Sequence, residues 1–222
     1  MHKNLLITVF ATLFVLISCK REDKDYSIPV DGDGNTYQTI AIGTQTWMVG
    51  NLHTTHLNDG TLIEQDLAWK NANTKPVFCF YENNSANESI YGMLYNWHAV
   101  NSGKLAPKGW HVATQQDWIK LATHFDDLSK AGGALKSLDI WKEPNTGATN
   151  SSGLGLLPTG CCLGSFYEGI FEKQGEIGFW WTSTPAFGGD GGQMMKLSHN
   201  SEELEGFGSG PDFGYAVLCV KD

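Results

Sequence analysis

Basic side chains are scarce in this sequence. Its 222 residues include 15 Lys and Arg against 24 Asp and Glu, which gives a formal net charge of -9. Affinity for nucleic acid comes mostly from Lys and Arg side chains that neutralise phosphates. The acidic balance therefore argues against nucleic acid as a partner.

The motifs of common catalytic and metal sites are also missing. The sequence contains no G-x-S-x-G, no H-E-x-x-H, no phosphate-binding loop and no C-x-x-C spacing. These patterns mark serine hydrolases, zinc peptidases, nucleotide-binding enzymes and cysteine-bound metals. We therefore predict a protein that is not an enzyme and has no catalytic residue, resident metal or cofactor.

No internal repeat, low-complexity block or interdomain linker divides the chain, so residues 31–222 are predicted to form a single globular domain. The only long apolar stretch, residues 5–17, is too short for a membrane-spanning helix, which needs about 20 residues. With Lys3 before it, the stretch is typical of a signal peptide over residues 1–18.

The segment Leu16-Ile17-Ser18-Cys19 resembles the lipobox of bacterial lipoproteins, which implies cleavage before Cys19 and lipidation of its sulfur. An ordinary secretory signal is the alternative, and either one exports the protein. Residues 19–30 then form a flexible tether, whose charged start resembles the export signals of surface lipoproteins in Bacteroidetes-type bacteria. We predict an outer-membrane lipoprotein that faces the periplasm or the cell surface.

Four further cysteines, Cys79, Cys161, Cys162 and Cys219, leave two alternatives open. An oxidising compartment permits a disulfide between one of the adjacent pair and Cys219 or Cys79. Otherwise all four are small buried apolar residues.

Short strands and loops dominate the predicted secondary structure. Residues 36–42 and 45–49 are predicted to form a β-hairpin, introduced by a turn at residues 31–35. The continuous apolar run at 215–220 is typical of a central strand buried on both faces. Further strands are predicted at residues 77–81, 179–182 and 193–197.

One helix has a clear start, because Thr114 can cap it and Asp117 stands three residues later, as in a capping box. A second helix is predicted over residues 130–138, and residues 91–100 fit either a helix or a strand. The apolar face of the first helix is predicted to comprise Trp118, Leu121, Ala122, Phe125 and Leu128.

Several aromatic-rich blocks, in order over about residues 31–222, resemble the Fibrobacter succinogenes major paralogous domain. The resemblance implies an α+β, C-type-lectin-like fold, with twisted antiparallel sheets, one or two helices and long loops. Proteins of this family are typically exported lipoproteins or surface proteins of unsettled function. The sequence departs from the family pattern at Gly50, Ala113 and Leu218. The matching blocks are Asp33-Gly34-Asn35-Thr36-Tyr37, Ile42-Gly43-Thr44-Gln45-Thr46-Trp47-Met48, Asn51-Leu52, Tyr91-Gly92-Met93-Leu94-Tyr95-Asn96-Trp97, Pro107-Lys108-Gly109-Trp110-His111-Val112, Trp180-Trp181-Thr182-Ser183 and Cys219-Val220-Lys221-Asp222.

Two places are candidates for ligand binding. Glu143-Pro144-Asn145 matches the triplet with which C-type lectins hold calcium and sugar hydroxyls, although a plain turn explains it as well. Trp180 and Trp181 follow one another on a predicted strand, so one side chain should be buried and the other free to stack on a sugar ring.

The remaining candidates have simpler explanations. Asp31, Asp33 and Asn35 alternate like calcium ligands but fit a hairpin turn better. His53 and His56 are interpreted as solvated loop residues, and His98 and His111 as hydrogen-bonded packing residues. The pair Cys161-Cys162 invites comparison with formylglycine-type oxidases, but those cysteines are spaced apart and these are adjacent.

The leading hypothesis is a non-catalytic module that binds a glycan or another extracellular polymer and is held at a membrane by its lipid. The alternative is a protein-binding adhesion or envelope-assembly component. An enzyme related to formylglycine-type oxidases is the third hypothesis.

Replacing Cys19 with alanine removes the sulfur that the lipobox assigns to the lipid. Cells that make the Cys19→Ala protein should incorporate no labelled palmitate into it, and the protein should leave the membrane fraction. Cys219→Ala is the matched control and should keep the label. Labelling of the Cys19→Ala protein would contradict the prediction.

Overall fold

The computed structural model describes residues 28–222, so the predicted signal peptide, Cys19 and most of the tether lie outside the described residues. The domain contains four short α-helices and thirteen strands in its described part. The helices are Glu88–Tyr91 (α1), Trp97–Asn101 (α2), Gln115–His124 (α3) and Ala131–Leu135 (α4). The strands are Gln38–Ile42 (β1), Gln45–Val49 (β2), Glu64–Gln65 (β3), Val77–Cys79 (β4), Leu94–Tyr95 (β5), Trp110–Val112 (β6), Thr159–Cys162 (β7), Phe171–Gln174 (β8), Ile177–Pro185 (β9), Gly192–Ser198 (β10), Glu205–Ser209 (β11), Ala216–Val217 (β12) and Cys219–Lys221 (β13).

The strands form three sheets, two of mixed direction and one antiparallel, which together with the short helices confirms the α+β class. The largest has the order β11-β10-β9-β7-β8, with β12 pairing to β9; the others have the orders β1-β2-β13-β6 and β3-β4-β5. Most neighbours are antiparallel, whereas β3 with β4, β7 with β9 and β12 with β9 run parallel. No helix among residues 28–222 is long and apolar enough to cross a membrane.

Several predicted elements are present. The hairpin is formed by β1 and β2, with Ile42 opposite Gln45, and α3 begins after the capping box of Thr114 and Asp117. The ambiguous residues 91–100 contain the end of α1, all of β5 and most of α2, so neither a single helix nor a single strand was right.

The prediction of one strand at residues 215–220 was wrong. The run is buried throughout, but it divides at Leu218 between two sheets. Its first part, β12, pairs with β9, and its second part, β13, pairs with β2 and β6. A continuous apolar pattern reports burial on both faces and carries no information about which strands are neighbours.

The predicted apolar face of α3 is correct except at its end. Trp118, Leu121 and Ala122 are buried and Phe125 packs against them, whereas Leu128 is 37% exposed. Because the helix ends at His124, Leu128 no longer follows the helical period.

A buried lysine joins two loops beside α4. Lys136 is fully buried, and its ammonium donates hydrogen bonds to the carbonyl oxygens of Thr146 (2.8 Å), Ser198 (3.2 Å) and Ser201 (2.8 Å). Burial lowers the pKa of Lys136 to about 8. This side chain therefore holds the loop that follows α4 against the turn between β10 and β11.

We expect Lys136→Met to lower the free energy of unfolding by roughly 3 kcal/mol, because three carbonyl oxygens lose their donor. Lys142→Met is the matched control, since Lys142 is exposed and its ion pair with Glu176 should contribute at most about 1 kcal/mol. Urea unfolding of the two variants measures the difference. Equal losses would show that the buried ammonium contributes little.

The charge of Asp117 should make stability depend on pH. Burial raises the pKa of this carboxyl, but hydrogen bonds from Thr114 and the neighbouring His111 outweigh it and hold the pKa below the usual value. The ionised carboxylate therefore stabilises the fold at neutral pH, and this contribution disappears as the pH falls through the lowered pKa.

Asp117→Asn should accordingly reduce stability by about 1 kcal/mol at pH 7 and by less near pH 3. Unfolding curves at both pH values, with Asp139→Asn as an exposed control, measure this. A loss of the same size at both pH values would contradict the role of the charge.

Candidate functional site

Both tryptophans of the predicted sugar-stacking pair are buried, which corrects that prediction. Trp180 and Trp181 are 0% exposed. They do point to opposite faces of β9, but a hydrophobic cluster covers each face. The Trp180 indole donates to the side-chain oxygen of Asn51 (2.9 Å), and the Trp181 indole donates to the carbonyl oxygen of Tyr95 (2.8 Å).

The Glu143-Pro144-Asn145 segment forms a turn on the surface. The Asn145 amide donates to the carbonyl oxygens of Ser137 (3.0 Å) and Leu138 (3.3 Å), and its backbone N–H closes a turn onto Lys142. Glu143 is exposed. The Asn145 amide nitrogen is thus used inside the loop, and the calcium hypothesis stays a prediction.

The Asp31 turn uses its oxygens internally. Its carboxylate accepts from the N–H groups of Asp33 and Asn35, from the Asn35 side chain and from the hydroxyl of Tyr37. Each contact is a hydrogen bond within the turn, so this carboxylate shapes the entry to β1. Among residues 28–222, no group of three or more His, Cys, Asp or Glu side chains is placed to hold a metal.

The four histidines that the sequence singles out occupy different environments. His53 and His56 lie in a loop as predicted, and each imidazole contacts a carboxylate, that of Glu88 and Asp33 respectively. His111 bridges Asp117 (3.1 Å) and Asp222 (2.8 Å), in agreement with a packing role. His98 differs from the prediction, because its Nε2 is buried without a hydrogen-bond partner among the described residues.

His98 faces a cleft that the sequence did not reveal. The cleft has a volume of about 440 Å³ and lies between α2 and the hairpin that joins β9 to β10. Its lining residues come from four separate segments of the chain, so no contiguous sequence motif indicates them. They are Asn73, Trp97, His98, Asn101, Gly189, Asp190, Gly191 and Pro211.

Trp97, which forms part of the cleft wall, is held in place by its contacts with neighbouring segments. Its backbone N–H donates to the carbonyl oxygen of Pro211 (2.9 Å), and its ring lies 5.5 Å from that of Trp181. On β10, a Cβ atom at Gly192 would lie only 2.2 Å from the Trp97 ring, so only glycine lets the strand approach this closely.

The polar groups of the cleft are of the kind that bind hydroxyl-rich ligands. Asn73, Asn101 and Asp190 are exposed. The two amides can donate hydrogen bonds to hydroxyl groups and accept them, and the carboxylate can accept them. The Nε2 of His98 is itself buried, so it is not one of the groups that the cleft presents to a ligand.

Exposed aromatic side chains surround this end of the molecule. Phe187, at the tip of the β9–β10 hairpin, is fully exposed and adjoins a second groove of about 390 Å³ that shares Asp190 with the cleft. Phe166 is 87% exposed on the loop between β7 and β8. That loop is attached beside Pro211, because the carboxylate of Asp212 accepts from the N–H (2.8 Å) and hydroxyl (2.6 Å) of Ser165. We call the cleft, Phe166 and Phe187 together the loop surface.

One sequence signal does point to part of the loop surface. The glycine-rich run at 188–192 after Phe187 is typical of an exposed hairpin tip. The neighbours of that tip could not be predicted, since α2 and Pro211 reach it only through the tertiary fold.

Comparison with known proteins identifies one family. The model of the Fibrobacter succinogenes major domain matches residues 40–221, which include every residue of the loop surface. No curated protein matches the chain, and no solved structure does.

Proposed function

The chain belongs to the Fibrobacter succinogenes major domain family, and from that premise we propose that it is a non-catalytic binding module for a glycan or another extracellular polymer. In this proposal the protein is an exported lipoprotein, anchored through Cys19 and displayed at the outer membrane. The proposed fold is C-type-lectin-like, in keeping with mixed sheets, few short helices and long loops.

The observation that supports glycan binding is the cleft. Ligand sites are typically concave, with an apolar wall and a few polar groups that fix orientation. Here Trp97 and Pro211 supply the wall, and Asn73, Asn101 and Asp190 supply the polar groups. The exposed rings of the loop surface extend this arrangement, because aromatic faces pack against the apolar faces of sugar rings.

The environment of the cysteines supports a module without catalysis. Burial raises the pKa of Cys161 to about 12, and burial also raises the pKa of Cys219. Since the thiolate is the reactive form, these thiols are poor nucleophiles at neutral pH. They lack the exposed, electropositive surroundings of catalytic cysteines.

A protein-binding adhesion or envelope-assembly role is the second candidate. It is favoured by the apolar side chains of Phe166, Ile170 and Phe187, which are at least half exposed. Exposed apolar groups of this size mark protein interfaces when they form a broad patch.

A glycan array distinguishes these candidates. The protein from residue 20 onward should bind a subset of glycans equally well in calcium and in EDTA. Asp190→Ala should weaken this binding about tenfold, the equivalent of about 1.4 kcal/mol for one polar contact. Asp139→Ala, a surface aspartate outside the cleft, is the matched control and should bind like the original protein.

Other outcomes assign the function differently. Binding that needs calcium and is lost in Asn145→Ala would move the site to the Glu143-Pro144-Asn145 turn. Binding to no glycan would contradict the proposal and favour the protein-binding alternative.

A further inference from the structure

Strands β4 and β7 bring two distant cysteines together. Cys79 ends β4 and Cys162 ends β7, and both are 0% exposed. They belong to one small hydrophobic cluster with Trp69, Tyr81 and Leu94. Within it, burial and the neighbouring thiol of Cys162 raise the pKa of the Cys79 thiol.

The geometry of β7 separates Cys162 from its neighbour Cys161. Successive side chains of a strand point to opposite faces, and Cys161 accordingly packs in the cluster that contains Cys219 and Trp181. The position of Cys162 is fixed by Gly214, where an added Cβ would lie 2.9 Å from the Cβ of Cys162. For Cys162, the fold therefore favours Cys79 over Cys219 as the partner.

We propose that Cys79 and Cys162 form an intramolecular disulfide when the domain folds outside the cytoplasm. This inference rests on the exported location proposed above, because disulfides persist in oxidising compartments. The structure holds both residues as free thiols, which is the reduced form of the pair.

The oxidant in this proposal is an external disulfide, such as oxidised glutathione or a dithiol oxidase. One cysteine thiolate attacks it, expels one thiolate and forms a mixed disulfide. The second cysteine then attacks the sulfur of the first and releases the other thiolate. In sum the protein loses two electrons and two protons, and the external disulfide becomes two thiols.

Burial determines when this reaction occurs. Both sulfurs are inaccessible in the folded domain, and burial also raises the pKa of Cys79, which disfavours its thiolate. Oxidation should therefore be fast before folding buries the two cysteines and slow afterwards. Once formed, the bond closes a long loop, the arrangement in which a crosslink restricts the unfolded chain most.

Refolding in a glutathione redox buffer tests the pair itself. The protein from residue 20 onward should yield a Cys79–Cys162 crosslinked peptide on alkylation and mass mapping. Its melting temperature should exceed that of the reduced protein by roughly 10 °C. Cys79→Ala and Cys162→Ala should abolish both effects, whereas Cys161→Ala and Cys219→Ala are matched controls that should retain them.

A crosslink through Cys161 or Cys219, or four free thiols after refolding, would overturn the pairing. The same mapping on protein recovered from cells tests the location separately. If the crosslink forms in the buffer but is absent from cell-derived protein, the exported location fails while the chemistry of the pair stands.

Discussion

Burial of strand β9 on both faces is the constraint on which the rest of the domain depends. Trp180 packs into the cluster that contains Trp118 on α3, and Trp181 packs into the cluster that contains Trp97 on α2. Large aromatic side chains contribute most to such cores, and the indole N–H groups of Trp180 and Trp181 each have an acceptor. Helices α2 and α3 are therefore positioned relative to one central strand.

Local patterns in the sequence predicted local structure well. The hairpin of β1 and β2 and the capping box of α3 depend on residues that are neighbours in the chain, and both were found. The predictions failed where burial depends on elements that pack against a strand from elsewhere in the chain. Alternation along β9 correctly separated the two tryptophan side chains, but it could not show that both faces are covered.

The candidate site shows the same limit more strongly. Every residue predicted for ligand binding lies in a strand core or in a turn, whereas the cleft is assembled from segments far apart in sequence. Only the glycine run beside Phe187 carried a local signal. The cleft nevertheless depends on the central strand, because Trp97 forms its wall and packs on Trp181. The exposed polar groups of the cleft thus lie on loops and at the end of α2, next to a buried aromatic layer.

Lys136 has a consequence for how the surface turn at Glu143 to Asn145 keeps its shape. In many loops a bound divalent ion gathers carbonyl oxygens from separate segments. Here a covalently attached ammonium does so, contacting the oxygens of Thr146, Ser198 and Ser201. The loop thus carries its own cation, which the chain supplies and the surrounding medium does not.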